Sequence, residues 1–175
     1  MIRMAGASDR IDIAELDCIY LSYDEPRKEE FWAKISAMVP WAKRVDGVKG
    51  SDAAHKAAAD ASDTDRFILI DGDNLPYEPF FNQQLILDAG NHDKVFRWKA
   101  VNAVNYLAYG NGGISCWTKK FVGQMRTHEN TDGADHTAVE FCWNDGYWAM
   151  HDTWSTTYPN QSPYHAWRAG FREGV

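Results

Sequence analysis

The chain is poor in cysteine. Cys18, Cys116 and Cys142 are odd in number, far apart and never spaced as C-x-x-C, which excludes a disulfide framework and a zinc site. They read as reduced thiols of an intracellular protein. Long apolar runs are also missing: nothing approaches the ~18 consecutive residues a membrane span needs. At the N-terminus Arg3, Asp9, Arg10 and Asp12 interrupt small residues and leave no apolar stretch for a secretory leader. A soluble, cytoplasmic protein is expected. There are no internal repeats, no low-complexity tracts, and no Walker-type glycine loop, which disfavours an ATPase or kinase. Cationic charge is short as well, with 18 Lys and Arg against 25 Asp and Glu, for a net charge of −7. That balance opposes a simple coating of nucleic acid.

What is present is a core. The 175 residues suit one domain, and 45% of them are hydrophobic against 25% charged, which excludes disorder for the bulk of the chain. Trp, Tyr and Phe occur eight times each. Because a buried indole N–H needs a partner, so many tryptophans point to stacking surfaces as well as packing.

The first 75 residues alternate. The run Cys18 to Tyr23 reads as a buried strand. Asp24 or Glu25 then suits an N-cap, Pro26 the first helical position, and Phe31, Trp32, Ile35, Met38 and Val39 recur at helical spacing until Pro40. A short strand at Arg44-Val45 and the Gly47 to Gly50 loop lead into a helix opened by Ser51-Asp52. Its face is built on Ala53, Ala54, Ala57, Ala58 and Ala61, small enough to lie close on a sheet or ligand. Arg66 to Ile70 is the clearest strand, and it runs into Asp71-Gly72-Asp73-Asn74. Strand, helix, strand, helix, strand predicts an α/β fold with a mostly parallel central sheet.

The second half predicts a mixed arrangement. Strands are expected at Val95 to Trp98, Ile114 to Trp117, and 139–143 and 147–150 around an Asn144-Asp145-Gly146 hairpin turn. A final helix over Ser162 to Val175 carries no cap, the look of a minimal or shortened protein.

The sharpest chemical signal is Asp71-Gly72-Asp73. A D-x-D pair leaving the carboxyl end of a buried strand lies where open α/β sheets place ligands. Carboxylates at i and i+2 across a glycine can converge on one hard cation, Mg²⁺ or Mn²⁺, which bridges to the diphosphate oxygens of a nucleotide. An Asp-Gly pair is also an ordinary polar turn; the apolar strand before it argues for more. A calcium loop fails, because Leu75 and Pro76 stand where an oxygen ligand and glycine belong. An aspartyl-phosphate nucleophile would want a hydroxyl residue at Leu75.

At these residues the chain resembles the GT-A class of nucleotide-sugar glycosyltransferases, and within it the small bacteriophage-encoded enzymes. The resemblance covers most of the sequence from Cys18 onward. It rests on Ile19 to Tyr23, Trp41 to Val45, Gly47 to His55, Asp71 to Asn74, Asn111-Gly112-Gly113 and Ala166 to Arg172. It implies a Rossmann-like GT-A fold with a nucleotide-sugar half (17–75) and an acceptor half (94–175). Ser22, Tyr23 and Asp24 would meet the base, and Asp71 and Asp73 would hold the metal, Asp71 also touching the donor. A UDP-sugar is the favoured donor, and the activity a hexosyl or pentosyl transfer.

Other residues fit the same picture. Lys49 and His55, with Lys56, suit phosphate beside a helix entered from a glycine-bounded loop. His55 packing in the core and Lys56 solvated on the helix fit equally. Asn111, Gly112 and Gly113 would let backbone approach a sugar, with Trp117 as a stacking plane, although the same glycines also make an ordinary loop. His151 or His165 would be the third metal ligand that GT-A enzymes often take from their C-terminal part. An inverting reaction needs a carboxylate base, and Asp145, Glu140 and Asp135 are available.

The resemblance to phage enzymes suggests hydroxymethylated pyrimidines of DNA as acceptor. The net charge opposes this, but from Lys94 to His128 there are six basic residues and no Asp or Glu. Such a patch is what a duplex requires. A glycan or protein acceptor, a phosphotransferase or nucleotidyltransferase using the same aspartates, and a non-catalytic nucleotide-sugar-binding domain remain the alternatives.

Overall fold

The computed structural model describes residues 9–110, 113–127 and 145–173. In chain order its elements are β1 (Asp9–Asp12), β2 (Asp17–Ser22), α1 (Lys28–Met38), β3 (Lys43–Asp46), α2 (Ser51–Ala61), β4 (Arg66–Asp71), β5 (Asn74–Pro76), β6 (Gln84–Leu87), β7 (Val95–Asn102), β8 (Ala108–Tyr109), β9 (Ile114–Thr118), α3 (Lys119–Gln124), β10 (Tyr147–Thr157) and α4 (Pro163–Glu173). Among the described residues, eight strands form one mixed sheet in the order β3-β2-β4-β9-β7-β10-β5, with β8 beside β7. A separate ribbon joins β1 to β6.

The pairing directions decide where the site lies. Strands β3, β2 and β4 run parallel. Strand β9 runs antiparallel to both β4 and β7, and β10 returns parallel to β7. The carboxyl ends of β2, β3, β4, β7 and β10 therefore share one edge of the sheet. This is the α/β, Rossmann-like arrangement of a GT-A fold: a parallel first half and a mixed second half.

Residue alternation sends side chains to two layers. Cys18, Tyr20, Ile68, Ile70, Phe96 and Cys116 pack with Phe31 and Ile35 of α1. Ile19, Phe67, Leu69, Val95 and Trp117 pack with Ala58 and Ala59 of α2 and Val122 of α3. The small face of α2 does lie against the sheet, but it is formed by Ala54, Ala58 and Ala59, while Ala53 faces solvent. Cys18 and Cys116 are buried free thiols; burial pushes Cys116 up to about 11.

Two expected boundaries shift. Helix α1 begins at Lys28, behind Arg27, so Pro26 precedes it and neither Asp24 nor Glu25 caps it. The expected strands at 95–98 and 147–150 continue to Asn102 and Thr157, where they pair with each other. The expected strand at 139–143 and Asn144 of the hairpin lie outside the described residues.

Tryptophan divides between core and surface. Trp98 and Trp117 are buried in the core, whereas Trp41 and Trp148 are exposed and Trp167 lies exposed on α4 with Tyr164 and Phe171. No helix among the described residues is long and apolar enough to cross a membrane.

Candidate active site at the carboxyl edge of the sheet

Every residue of the Asp71-Gly72-Asp73 turn is tied down through its backbone. The Asp71 N–H donates to the Gly113 carbonyl at 2.8 Å, and the Tyr158 N–H donates to the Asp73 carbonyl at 2.8 Å. The Tyr20 hydroxyl, from the core layer of β2, donates to the Gly72 carbonyl at 2.9 Å. Asn74 fixes the second carboxylate, since its Nδ2 donates to Asp73 Oδ1 at 2.7 Å. The Asn74 Oδ1 in turn accepts from the Gly113 N–H at 3.2 Å and from Ser155 Oγ at 3.0 Å. A side chain at Gly113 would collide with the Asn74 amide, so this glycine is needed for that contact.

Glu25 completes the acidic group. A methyl group on Gly72 would stand 2.5 Å from the Glu25 carboxyl carbon, which places this carboxylate directly over the turn. Burial, then repulsion from Asp73, pushes Asp71 up to about 7; the Arg97 guanidinium opposes this and Glu25 adds to it. Glu25 read as a helix cap in the sequence. The overlooked signal is its place just past the carboxyl end of β2, the strand next to β4.

Two clefts meet at these aspartates. The larger, about 350 Å³, is lined by the end of β2 (Leu21, Ser22, Tyr23), by Val48, Gly50, Ser51, Ala54 and His55 around the start of α2, by Glu25, Asp71, Gly72 and Asp73, and by Arg168 of α4. The second, about 220 Å³, is lined by Asp71, Asp73, Asn74, Ala100, Asn102, Tyr109, Gly110, Gly113, Thr157 and Pro159. A small recess between them brings His165 and Arg168 to Glu25 and Asp73.

The expected donor residues distribute unevenly over this geometry. Tyr23 is 45% exposed at the mouth of the larger cleft. Ser22 lines it too, but its hydroxyl donates to Asp46 at 2.7 Å and accepts from Arg44 at 3.2 Å. Asp24 is absent from the lining and instead faces His165 across 3.5 Å. Lys49 is exposed, and only its neighbours Val48 and Gly50 line the cleft. His55 lines it while its Nδ1 meets the Ser51 carbonyl at 2.7 Å and its ring packs edge-on against Trp117. Lys56 turns back along α2 to Asp52. Arg168, which the sequence did not single out as a site residue, lines the larger cleft and the recess with Asp73.

Four expectations are corrected. Trp117 cannot stack on a sugar: it is 1% exposed, and its indole N–H is spent on Ser115 Oγ at 2.7 Å. Asp145 cannot be the base. It precedes Tyr147, which pairs with Val95 at the start of β7, so it stands at the opposite edge of the sheet, about 20 Å of strand from the level of Asp71. His151 is exposed in the bulged stretch of β10 opposite Arg97 to Lys99, and it lines neither cleft nor the recess. The basic run does not line the clefts, for Lys119 follows the far end of β9, Lys94 donates to the Asp145 carbonyl there, and Arg97 is buried. Glu140, Asp135, Asn111 and Gly112 lie outside the described residues.

His165 fits better as a metal ligand than His151. Its Nδ1 meets Ser162 Oγ at 2.6 Å, and its buried Nε2 has no hydrogen-bond partner among the described residues. Among those residues no group of three or more His, Cys, Asp or Glu side chains is already gathered around one point. The donor set nonetheless suits a divalent cation: the buried Asp71 carboxyl and the Asp73 carboxylate, with Glu25 over the turn and an imidazole nitrogen that makes no hydrogen bond and faces Asp24 across 3.5 Å.

No protein-family model matches the chain, and no curated protein matches it in sequence. Solved structures match in outline. A glycosyltransferase involved in glycosylation of the major capsid of PBCV-1 is 13% identical, with 91% of this chain and 100% of that one covered and a TM-score of 0.44. The inositol-1-phosphate CTP transferase of T. maritima is 12% identical over 89% and 76%, at 0.45. HddC of Yersinia pseudotuberculosis is 13% identical over 89% and 78%, at 0.40. At these levels the likeness carries no argument about activity.

Proposed function

We propose that the protein is a metal-dependent glycosyltransferase that moves a sugar from a nucleoside diphospho-sugar to a hydroxyl acceptor. The observation that carries this reading is the pinned Asp71-Gly72-Asp73 turn, shared by two clefts of different chemistry. The larger cleft offers an aromatic ring at Tyr23, small apolar walls at Val48 and Ala54, the start of α2 and the Arg168 guanidinium. A base, ribose and diphosphate call for that set. Uridine is the first base to test.

Asp71 and Asp73 would hold a divalent cation, with His165 and Glu25 beside them. When bound, the ion supplies positive charge against the departing diphosphate. The chain's own part is orientation. Asn74 sets the Asp73 carboxylate, Tyr20 and Tyr158 hold the turn, and Arg168 meets charge that develops on the leaving group. The carboxylates that line the clefts, among the described residues, are Asp71, Asp73 and Glu25.

A nucleotidyltransferase is the second reading. It must seat a triphosphate and a phosphorylated substrate together, which calls for several cations; the described lining of the two clefts offers one Arg and no Lys. That count favours glycosyl transfer. Hydroxymethylated pyrimidine in DNA loses the support of the basic run, whose Lys94 and Lys119 lie at the far edge of the sheet. Turnover of UDP-sugars with and without EDTA tests the proposal. Release of a nucleoside diphosphate that EDTA stops is expected; release of pyrophosphate would favour the second reading, and metal-independent turnover would remove the role given to the aspartates.

A further inference from the structure

The two clefts differ in charge, and the difference bears on what each accepts. Apart from the shared aspartates, every side chain lining the smaller cleft is uncharged. Its polar groups are the Asn74, Asn102, Tyr109 and Thr157 side chains, and these are organised. Asn102 is buried, accepts from the Val104 N–H at 2.8 Å, and donates from Nδ2 to the Tyr109 hydroxyl at 2.8 Å. Ala100, Gly110, Gly113 and Pro159 supply the apolar remainder. Among the described residues no Lys or Arg contributes. Arg97 is buried beneath, its guanidinium over the Tyr147 ring, and Arg168 faces the larger cleft and the recess.

We infer that the smaller cleft selects an uncharged, hydroxyl-bearing ring as acceptor and rejects acceptors that carry phosphate, nucleic acid included. The word acceptor rests on the transferase reading; the charge selectivity rests on the lining alone. The volume, about 220 Å³, falls below the range of drug-sized pockets and suits one ring. Amide, phenol and hydroxyl groups match sugar hydroxyls as donors and acceptors. A phosphate placed there would meet two carboxylates, of which Arg97 acts on Asp71 from within the fold, and no cation of the described lining, a repulsive arrangement that discriminates as effectively as an added contact. A divalent ion held by the aspartates would cancel their charge and still leave no surplus for a second anion.

The test uses the full-length ¹⁵N-labelled protein and needs no turnover. Methyl glucoside, methyl glucoside 6-phosphate and a hydroxymethylcytosine-containing duplex are titrated in separate samples, with Mn²⁺ replaced by diamagnetic Mg²⁺. Methyl glucoside is expected to shift the Asn102 side-chain amide and the Tyr109 and Thr157 backbone signals, with the phosphate and the duplex binding at least about tenfold more weakly. Asn102→Asp should weaken methyl glucoside binding, and Thr157→Lys should raise the affinity for the phosphate by about tenfold. Equal or tighter binding of the phosphate or duplex to the wild type, or no shift at these residues with methyl glucoside, overturns the inference. UDP is added to the same samples and read at Ser51 and His55. Failure there with glucoside selectivity intact counts against the nucleotide reading alone.

Discussion

The two edges of the sheet are built from the same strands and do opposite work. At the carboxyl edge, Asp73 and Glu25 act on the buried Asp71 carboxyl, backbone groups are tied by Tyr20, Tyr158 and Gly113, and two clefts open. At the other edge, Lys94 Nζ donates to the Asp145 carbonyl and the Lys119 N–H donates to the Asp65 carbonyl. Like charges are gathered at one edge and dispersed at the other. Gathering them costs stability and is expected only where a ligand offsets the repulsion; the dispersed edge is ordinary solvated surface.

Mutations should expose this asymmetry in a definite order. The largest effect is expected for Asp73→Ala, which removes a carboxylate from the turn. Sugar transfer should fall by about 10³-fold or more, while circular dichroism and melting stay close to wild type. Trp117→Ala attacks the core instead: a loss of about 3–5 kcal/mol in denaturant unfolding is expected, with activity failing only because the fold does. Transfer that vanished in a fully folded Trp117→Ala protein would restore that ring to the site.

Asn74→Ala comes next. It leaves Asp73 in place but unheld and frees the Gly113 N–H and Ser155, so kcat should fall by about 10- to 100-fold with weaker Mn²⁺ binding. Acidity provides an intermediate effect. The folded protein holds the Asp71 proton up to about 7, against 3.8 as the ordinary value. Ionisation therefore opposes folding, and the metal-free protein should lose stability as pH rises from about 4 to about 7, then level off. Metal binding has the opposite trend: apparent Mn²⁺ affinity should rise by up to about tenfold per pH unit below 7, followed by calorimetry. A flat profile would mean that Asp71 is not a ligand.

The smallest effect is expected at the far edge. Asp145→Ala and the double change Lys119→Ala, Lys120→Ala should alter transfer by less than about twofold and stability by less than about 0.5 kcal/mol. A large loss of activity in Asp145→Ala would break the comparison, since a residue at that edge has no access to the aspartates.

The residues explain which parts of this were legible in advance. Strand β4 declares itself through Phe67 to Ile70, and the D-x-D turn is contiguous with it, so the carboxylate pair at the strand end needed no tertiary knowledge. Glu25 was hidden because its contact with Gly72 crosses from the end of one strand to the next. Arg168 was hidden, and His165 stood level with His151 as a candidate, because a helix almost a hundred residues on folds back over the turn. Trp117 misled for a different reason: an aromatic in a strand looks the same whether it faces a cleft or α2, and only the register of β9 against β4 turns it inward.

The sequence by itself determined the alternation of strands and helices, the buried cores of β2 and β4, the helical face of α1 and the position of the carboxylate pair at a strand end. These follow from local periodicity and from chemistry carried within a few residues. Only the tertiary structure decided which remote groups join that pair. Strand direction is set by pairing between distant segments, and no local pattern records it. Because β10 runs parallel to β7, it delivers Thr157 and α4 to the aspartates and carries Asp145 away from them.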